Sequence, residues 1–169
     1  MTFDTAQIRI RYAVPGDAEA ITEIYNEAIL TTTSTFDTEP QSVEERKSWL
    51  LSHGPTHPIF VAEYRREIVG WGSLSKWSER PAYNGTAETS FYVREEYRGR
   101  GIGRLLKQAT IDEARKLGFH TLLARVAEGS EASLHLNESL GFTRVGTMKE
   151  VGHKFGRHLD VHLLQIMLD

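Results

Sequence analysis

Residues 8–13, Ile8-Arg9-Ile10-Arg11-Tyr12-Ala13, alternate apolar and polar side chains, the two-residue period of a strand with one buried face. Pro15-Gly16-Asp17 breaks that pattern and opens a helix, in which Ala18, Ile21, Tyr25 and Ala28 recur at helical spacing and Ile24 widens the apolar face. The run Thr31-Thr32-Thr33-Ser34-Thr35 is a poor helix former, so the helix is expected to end near it. Ser42-Val43-Glu44-Glu45 has the form of a capping box and starts a second helix that stops before His53-Gly54-Pro55. Two apolar runs, 59–64 and 68–75, flank a short charged turn and predict an antiparallel hairpin. A loop with Trp77, Arg80, Pro81 and Tyr83 leads to a strand at about 88–93. The clearest helical pattern covers 103–117, marked by Leu105, Leu106, Ala109 and Ala114 and stopped by Gly118. A strand at 121–126, a helix at about 131–140 ended by Gly141, and late strands around 143–148 and 160–168 complete the chain. This order predicts a single α/β domain over residues 1–169, layered around one mixed sheet.

Composition narrows the class without naming it. The 169 residues suit one domain with a sizeable core, and 40% hydrophobic with 25% charged residues is ordinary for a globular chain. Twenty Lys and Arg stand against 23 Asp and Glu, a net charge of −3, so no whole-molecule basic field points to nucleic acid. There is no cysteine, which excludes disulfides, thiolate nucleophiles and thiolate metal sites. The longest apolar run is Ile59-Phe60-Val61-Ala62, far short of a membrane span, and the first residues have no signal-peptide pattern. The expectation is a cytoplasmic protein that engages neither membrane nor nucleic acid.

The candidate chemistry lies in Phe91-Tyr92-Val93, a charged loop, and Arg98-Gly99-Arg100-Gly101-Ile102-Gly103-Arg104. Glycines at every second position allow tight turning and close backbone approach to a ligand. They stand at the N-terminus of the longest helix, where unpaired N–H groups and the helix dipole favour an anion. Three guanidinium groups within seven residues match phosphate oxygens. A pyrophosphate cradle follows; the alternative is a glycine-rich turn with solvated arginines. A nucleoside-triphosphate loop would end Gly-Lys-Ser/Thr, where this chain has Gly103-Arg104-Leu105, and a dinucleotide fingerprint would need glycine at Arg104.

Arg-Gly-x-Gly-x-Gly entering a helix from a Phe-Tyr-Val strand resembles the acetyl-coenzyme-A loop of the GCN5-related N-acetyltransferase (GNAT) family. The start at Pro15-Gly16-Asp17 and the late helix from Ala132 to the turn Gly141-Phe142 extend the likeness. Phe36-Asp37-Thr38-Glu39-Pro40, Trp77, Arg80-Pro81-Ala82-Tyr83, Thr86-Ala87-Glu88, Lys154-Phe155-Gly156-Arg157 and Asp160 resemble the phosphinothricin and methionine-sulfoximine acetyltransferase subgroup in order and spacing. The resemblance implies a GNAT fold, a mixed and mostly antiparallel twisted sheet of about seven strands with about four helices. It implies acetyl-CoA as co-substrate and no metal. Loop amides of Gly99, Gly101, Ile102 and Gly103, with Arg98, Arg100 and Arg104, would hold the pyrophosphate. The strand edge at Phe91, Tyr92 and Val93 would pair with the pantetheine arm.

The resemblance also assigns Glu88 as general base, accepting a proton as the acceptor amine attacks the thioester. The competing reading makes Glu88 a strand-edge carboxylate paired with an arginine. Arg80 and Tyr83 would contact the acceptor, Trp77 and Phe36 would supply apolar walls unless they serve only packing, and Thr89 and Ser90 could reach the acceptor with backbone groups. Two positions depart from the family. Asn137 stands where many relatives carry Tyr or His near the coenzyme sulfur, and Asn is no acid near neutrality. Ser130 stands where an Asn often touches the coenzyme.

His153, His158 and His162 surround Asp160, but no compact pair shares a helix face, so a metal site is not expected. Direct transfer in a ternary complex is expected, because no Cys is present to carry an acetyl group. Other acceptors, a protein N-terminus, a polyamine or an aminoglycoside, stay open, as does a coenzyme-binding sensor without turnover. Phe36, Phe155 and Arg157 lie in segments read as polar connectors, 31–40 and 154–159, which together with the resemblance points to a homodimer.

Overall fold

The computed structural model describes residues 2–169. A seven-stranded sheet carries the chain: β1 (Ile8–Tyr12), β2 (Ile59–Tyr64), β3 (Glu67–Lys76), β4 (Thr86–Val93), β5 (Thr121–Ala127), β6 (Thr143–Lys154) and β7 (Arg157–Met167), in the order β1-β2-β3-β4-β5-β7-β6. Four helices pack on it: α1 (Ala18–Thr31), α2 (Val43–His53), α3 (Ile102–Lys116) and α4 (Glu131–Ser139). Every strand pairing is antiparallel except β4 with β5, which is parallel and brief: Thr86, Ala87 and Glu88 face Thr121, Leu122 and Leu123. Beyond Glu88 the two strands part. The gap between them positions everything that follows.

Alternation in β2 explains how both faces are covered. Ile59 and Val61 pack under α1 with Ile21, Ile24 and Ile29, while Phe60 and Ala62 face α3 with Ile102 and Leu106. Four consecutive apolar residues therefore serve two cores, as a strand buried on both faces requires. A third core beneath the far half of α3 joins Leu74, Ile111 and Ala114 to Leu122, Leu134, Phe142 and Leu164. Gly70 lets α3 approach β3 closely: a Cβ there would stand 3.1 Å from the Leu106 side chain and 3.0 Å from the Tyr92 carbonyl. The capping box forms as expected, with Ser42 Oγ accepting from Glu45 N and the Glu45 carboxylate accepting from Ser42 N.

Two expectations need correction. The buried face of α3 comprises Ile102, Leu106, Lys107, Thr110, Ile111 and Ala114, so Leu105 and Ala109 flank it. Two polar residues, Lys107 and Thr110, occupy interior positions and disguise the apolar stripe. The late strands are also longer than the hydrophobic pattern indicates. Lys154 pairs with Arg157 across the two-residue turn Phe155-Gly156, so 154–159 is the tip of a hairpin. An irregularity between Met148 and Gly152 interrupts the pairing without ending it, because the Asp160 carboxylate accepts from Glu150 N at 2.8 Å and Lys149 Nζ at 3.0 Å.

Candidate active site

The parted strands border a cleft of about 780 Å³. One wall is β4 from Thr89 to Val93, the other β5 from Ala124 to Ala127; the N-termini of α3 and α4 close the wide end, and residues 31–34 lie across the top. β4 remains paired with β3 through Val93, so its edge toward β5 is open from Thr89 onward. Successive side chains of β4 face opposite ways. Phe91 turns toward α3, where a Cβ on Gly103 would meet its ring at 2.8 Å. Tyr92 turns toward α1, its ring 5.2 Å from Tyr25 and 4.9 Å from Trp71.

The wide end is built for an anion. Gly99 and Gly101 have φ of +73° and +83°, a region that L side chains rarely occupy. Gly101 caps α3, directing the free N–H groups of its first turn into the cleft. Arg98 is held by its Nε on the Val93 carbonyl at 3.0 Å and by Nη2 on Glu27 at 3.0 Å; Arg104 donates to Ser139 Oγ at 2.8 Å. Both line the cleft. Arg100 lies against the rings of Phe3, at 4.8 Å, and Tyr97, outside the lining. Ser130 and Asn137 line the opposite side. Asn137 donates to the Ser133 carbonyl at 2.8 Å, while its Oδ1 is buried with no partner among the described residues.

At the narrow end, Glu88 ends the paired segment. Both of its oxygens accept from Arg125: Nε at 2.8 Å and Nη2 at 2.7 Å. The Glu88 side chain is 14% exposed and that of Arg125 54%, so Arg125 covers the carboxylate from the solvent side. Its guanidinium lies 5.7 Å from the centre of the Trp77 ring. Thr89 and Ser90 line the cleft just beyond. Arg80 and Tyr83 are exposed on the loop after β3, and Phe36 lies flush against Gly152 of β6; none of the three is in the lining. Glu88, Arg125 and Trp77 are thus brought together, with only Arg125 of the three in the cleft lining, while Arg80, Tyr83 and Phe36 stand apart.

Lys107, unremarked in the sequence, lines the cleft floor although only 1% exposed. Its Nζ donates to Thr89 Oγ1 and lies 4.5 Å from the centre of the Phe142 ring. Burial pushes its ammonium down to about 7, against an opposing pull from Glu88. A lysine at an interior helical position was the available signal. Arg125 offered none, since its role depends on the register of two strands distant in sequence. The wall at residues 31–34 is likewise tertiary: Lys154 Nζ donates to the Thr32 and Thr35 carbonyls, both at 2.8 Å, and ties this segment to the hairpin tip.

A model of the acetyltransferase (GNAT) domain matches residues 10–163. The chain belongs to the GNAT family. GNAT enzymes of known role lie close to it: phosphinothricin N-acetyltransferase of Streptomyces coelicolor is 40% identical over 93% of this chain and 94% of its own. The L-methionine sulfoximine/L-methionine sulfone acetyltransferase of Salmonella typhimurium is 37% identical over 95% and 94%. Among solved structures, a Salmonella typhimurium acetyltransferase with its cofactor acetyl-CoA superposes with a TM-score of 0.93 at 36% identity, covering 96% of this chain and 95% of that one. A phosphinothricin acetyltransferase from Sinorhizobium meliloti in complex with acetyl-CoA gives 0.90 at 34%, covering 96% and 89%. This GNAT member is an acetyl-CoA-dependent acyltransferase with the family's fold. The cleft fits that co-substrate: helix N-termini for its phosphates and an open strand edge for its amides. No helix among the described residues is long and apolar enough to cross a membrane.

Proposed function

We propose that the enzyme moves the acetyl group of acetyl-CoA to the α-amino group of a small amino-acid-like acceptor of the phosphinothricin, methionine sulfoximine or methionine sulfone type, by direct attack in a ternary complex in the cytoplasm. The observation that carries the reading is one cleft with a glycine-rich turn and helix N-terminus at its wide end and, at the other, Arg125 in its lining with the Glu88 carboxylate directly behind it. The names of the relatives support the acceptor class.

When bound, acetyl-CoA supplies an activated acetyl thioester. The loop amides of Gly99, Gly101, Ile102 and Gly103, with Arg98 and Arg104, hold its diphosphate, and the open edge from Thr89 to Val93 aligns the arm. Arg100 belongs to this cradle in the reading only if it leaves Phe3. Glu88 takes the proton that the amine gives up, directly or through water. Ser130 and Asn137 contact the coenzyme. Trp77, Arg80 and Tyr83 close on the acceptor from the loop after β3, and Phe36 supports residues 31–34. A thiol with a pKa of about 8.5 can leave as thiolate near neutrality, so no side chain is assigned as acid.

The test is thiol release from acetyl-CoA with amino-acid analogues, polyamines, aminoglycosides and peptides as acceptors. Turnover with the amino-acid analogues is expected. Turnover only with another class, or coenzyme binding without any turnover, overturns the reading. We also propose a symmetric homodimer whose partner borders the acceptor pocket. Support comes from β6, an edge strand carrying exposed Val145, Met148 and Val151, and from exposed Phe155 at the hairpin tip. Light scattering should report twice 19.2 kDa; a fully active 19.2 kDa species removes the dimer.

A further inference from the structure

Glu88 and Arg125 form a two-pronged ion pair at the point where β4 and β5 part. Glu88 lies opposite Leu123 in the last paired rung, and Arg125 stands two residues farther along β5, on the face that Leu123 shares. The pair therefore bridges the mouth of the gap. Its geometry is the complement of one chemical group. An α-amino acid head presents an ammonium and a carboxylate on neighbouring carbons, the mirror of a carboxylate beside a guanidinium. A head group entering here exchanges one internal ion pair for two intermolecular ones, so no buried charge loses its partner.

We propose that the Glu88–Arg125 pair is the receptor for the zwitterionic head group of the acceptor: the acceptor carboxylate takes Arg125, and its ammonium takes Glu88. This rests on the transferase reading above and names how its acceptor is recognised. A planar guanidinium binds a carboxylate through two parallel N–H donors, so Arg125 has the correct fork for either partner. When it turns to the acceptor, both Glu88 oxygens become free to accept from the ammonium. One N–H bond then breaks and one O–H bond forms at Glu88, and the nitrogen keeps the electron pair it needs for attack. The half-exposed Arg125 side chain has room to move, whereas Glu88 is largely enclosed. Trp77 lies beside the guanidinium, its ring centre 5.7 Å away. Arg80, exposed outside the cleft, is left to meet a second acidic group on the acceptor's side chain. Arg125 is thus a specificity-determining residue and also the latch that occupies the base until the correct acceptor arrives.

The test uses phosphinothricin and methionine sulfone, each as the free acid and as its α-carboxamide, with the wild type, Arg125→Gln and Arg125→Lys. The amide keeps the amine and removes only the carboxylate. For Arg125→Gln, kcat/KM should fall by about 10²-fold more on the free acids than on the amides, the scale for losing one partner of a hydrogen-bonded charge pair. The double ratio of variant and acceptor cancels any general change in Glu88. Arg125→Lys should recover part of the loss on the acids only. Calorimetry of the same acceptors with the coenzyme A-bound protein should show the same selective weakening without turnover. Equal losses on acid and amide, or none, overturn the proposal in any folded variant, and Arg125→Lys keeps the charge if the Gln protein does not fold. A wild type that acetylates only polyamines or peptides would instead overturn the acceptor class.

Discussion

The two ends of the cleft, proposed for coenzyme and for acceptor, are built from different materials. The wide end is mostly backbone: glycines with positive φ, the first turn of α3, and a strand edge without a partner. Its arginines are held by neighbouring groups, and its backbone amides are fixed by the turn and need no rearrangement to meet an anion. The narrow end is made of side chains that satisfy one another, Glu88 with Arg125 and Lys107 with Thr89. A backbone site is ready before its ligand arrives and is sensitive to substitution chiefly at its glycines. A side-chain site must give up internal partners, which makes binding selective and lets one residue change the acceptor. In the proposed function the common co-substrate meets the first and the variable acceptor meets the second.

The sharpest test of this contrast is Glu88→Gln. Turnover should fall by about 10²–10⁴-fold, the range for removing a general base, while calorimetry finds coenzyme A affinity within about threefold of the wild type. Near-normal turnover would leave Glu88 as nothing more than an ion-pair partner. At the other end, Gly101→Val forces a β-branched residue to φ of +83° although no heavy atom lies within 4 Å of its Cβ. The strain, about 1–2 kcal/mol or more, falls on the cradle. Coenzyme A should bind at least about tenfold more weakly to a protein whose circular dichroism is unchanged.

Lys107 at the narrow end gives a pH-dependent test. Its folded pKa, about 7, lies below the unfolded value of 10.5, so between those limits the unfolded chain binds the extra proton. Wild-type stability gains as pH rises from 7 toward 10.5, and below 7 a charged ammonium must stay buried. Lys107→Met removes that cost. Its thermal midpoint should exceed the wild type's most at pH 6, by the equivalent of a few kcal/mol as an order of magnitude, and the advantage should shrink by pH 10. An advantage that is constant with pH would assign the effect to packing. The smallest expected effect is Arg80→Ala, raising the acceptor KM by up to about tenfold with coenzyme affinity untouched; a loss of coenzyme binding would erase the division between the ends.

Much of the fold was legible because its signals are local. The capping box at Ser42, the charged turn after Tyr64 and the glycines before α3 each act over a few residues. The wide end was legible for the same reason, although Arg100 turned onto Phe3. The late hairpin was hidden because an irregularity at 148–152 broke the alternation on which strand reading depends. The apolar stripe of α3 was misplaced because Lys107 stands on it, stabilised by a hydroxyl and an aromatic face that no helical pattern announces.

By itself the sequence determined the order of strands and helices, the place of the glycine-rich turn before α3 and the membership in a family. Each of these is written in backbone preferences and periodicities that neighbouring residues set together. Only the tertiary structure decided which partner Glu88 takes, that Arg80 stands outside the cleft, and that Lys107 lies at its floor. Arg125 is 37 positions from Glu88, and the two meet only because a three-residue parallel pairing sets their register before the strands diverge. Nothing within a turn or a strand's length of either residue encodes that meeting; it follows from how two distant segments align.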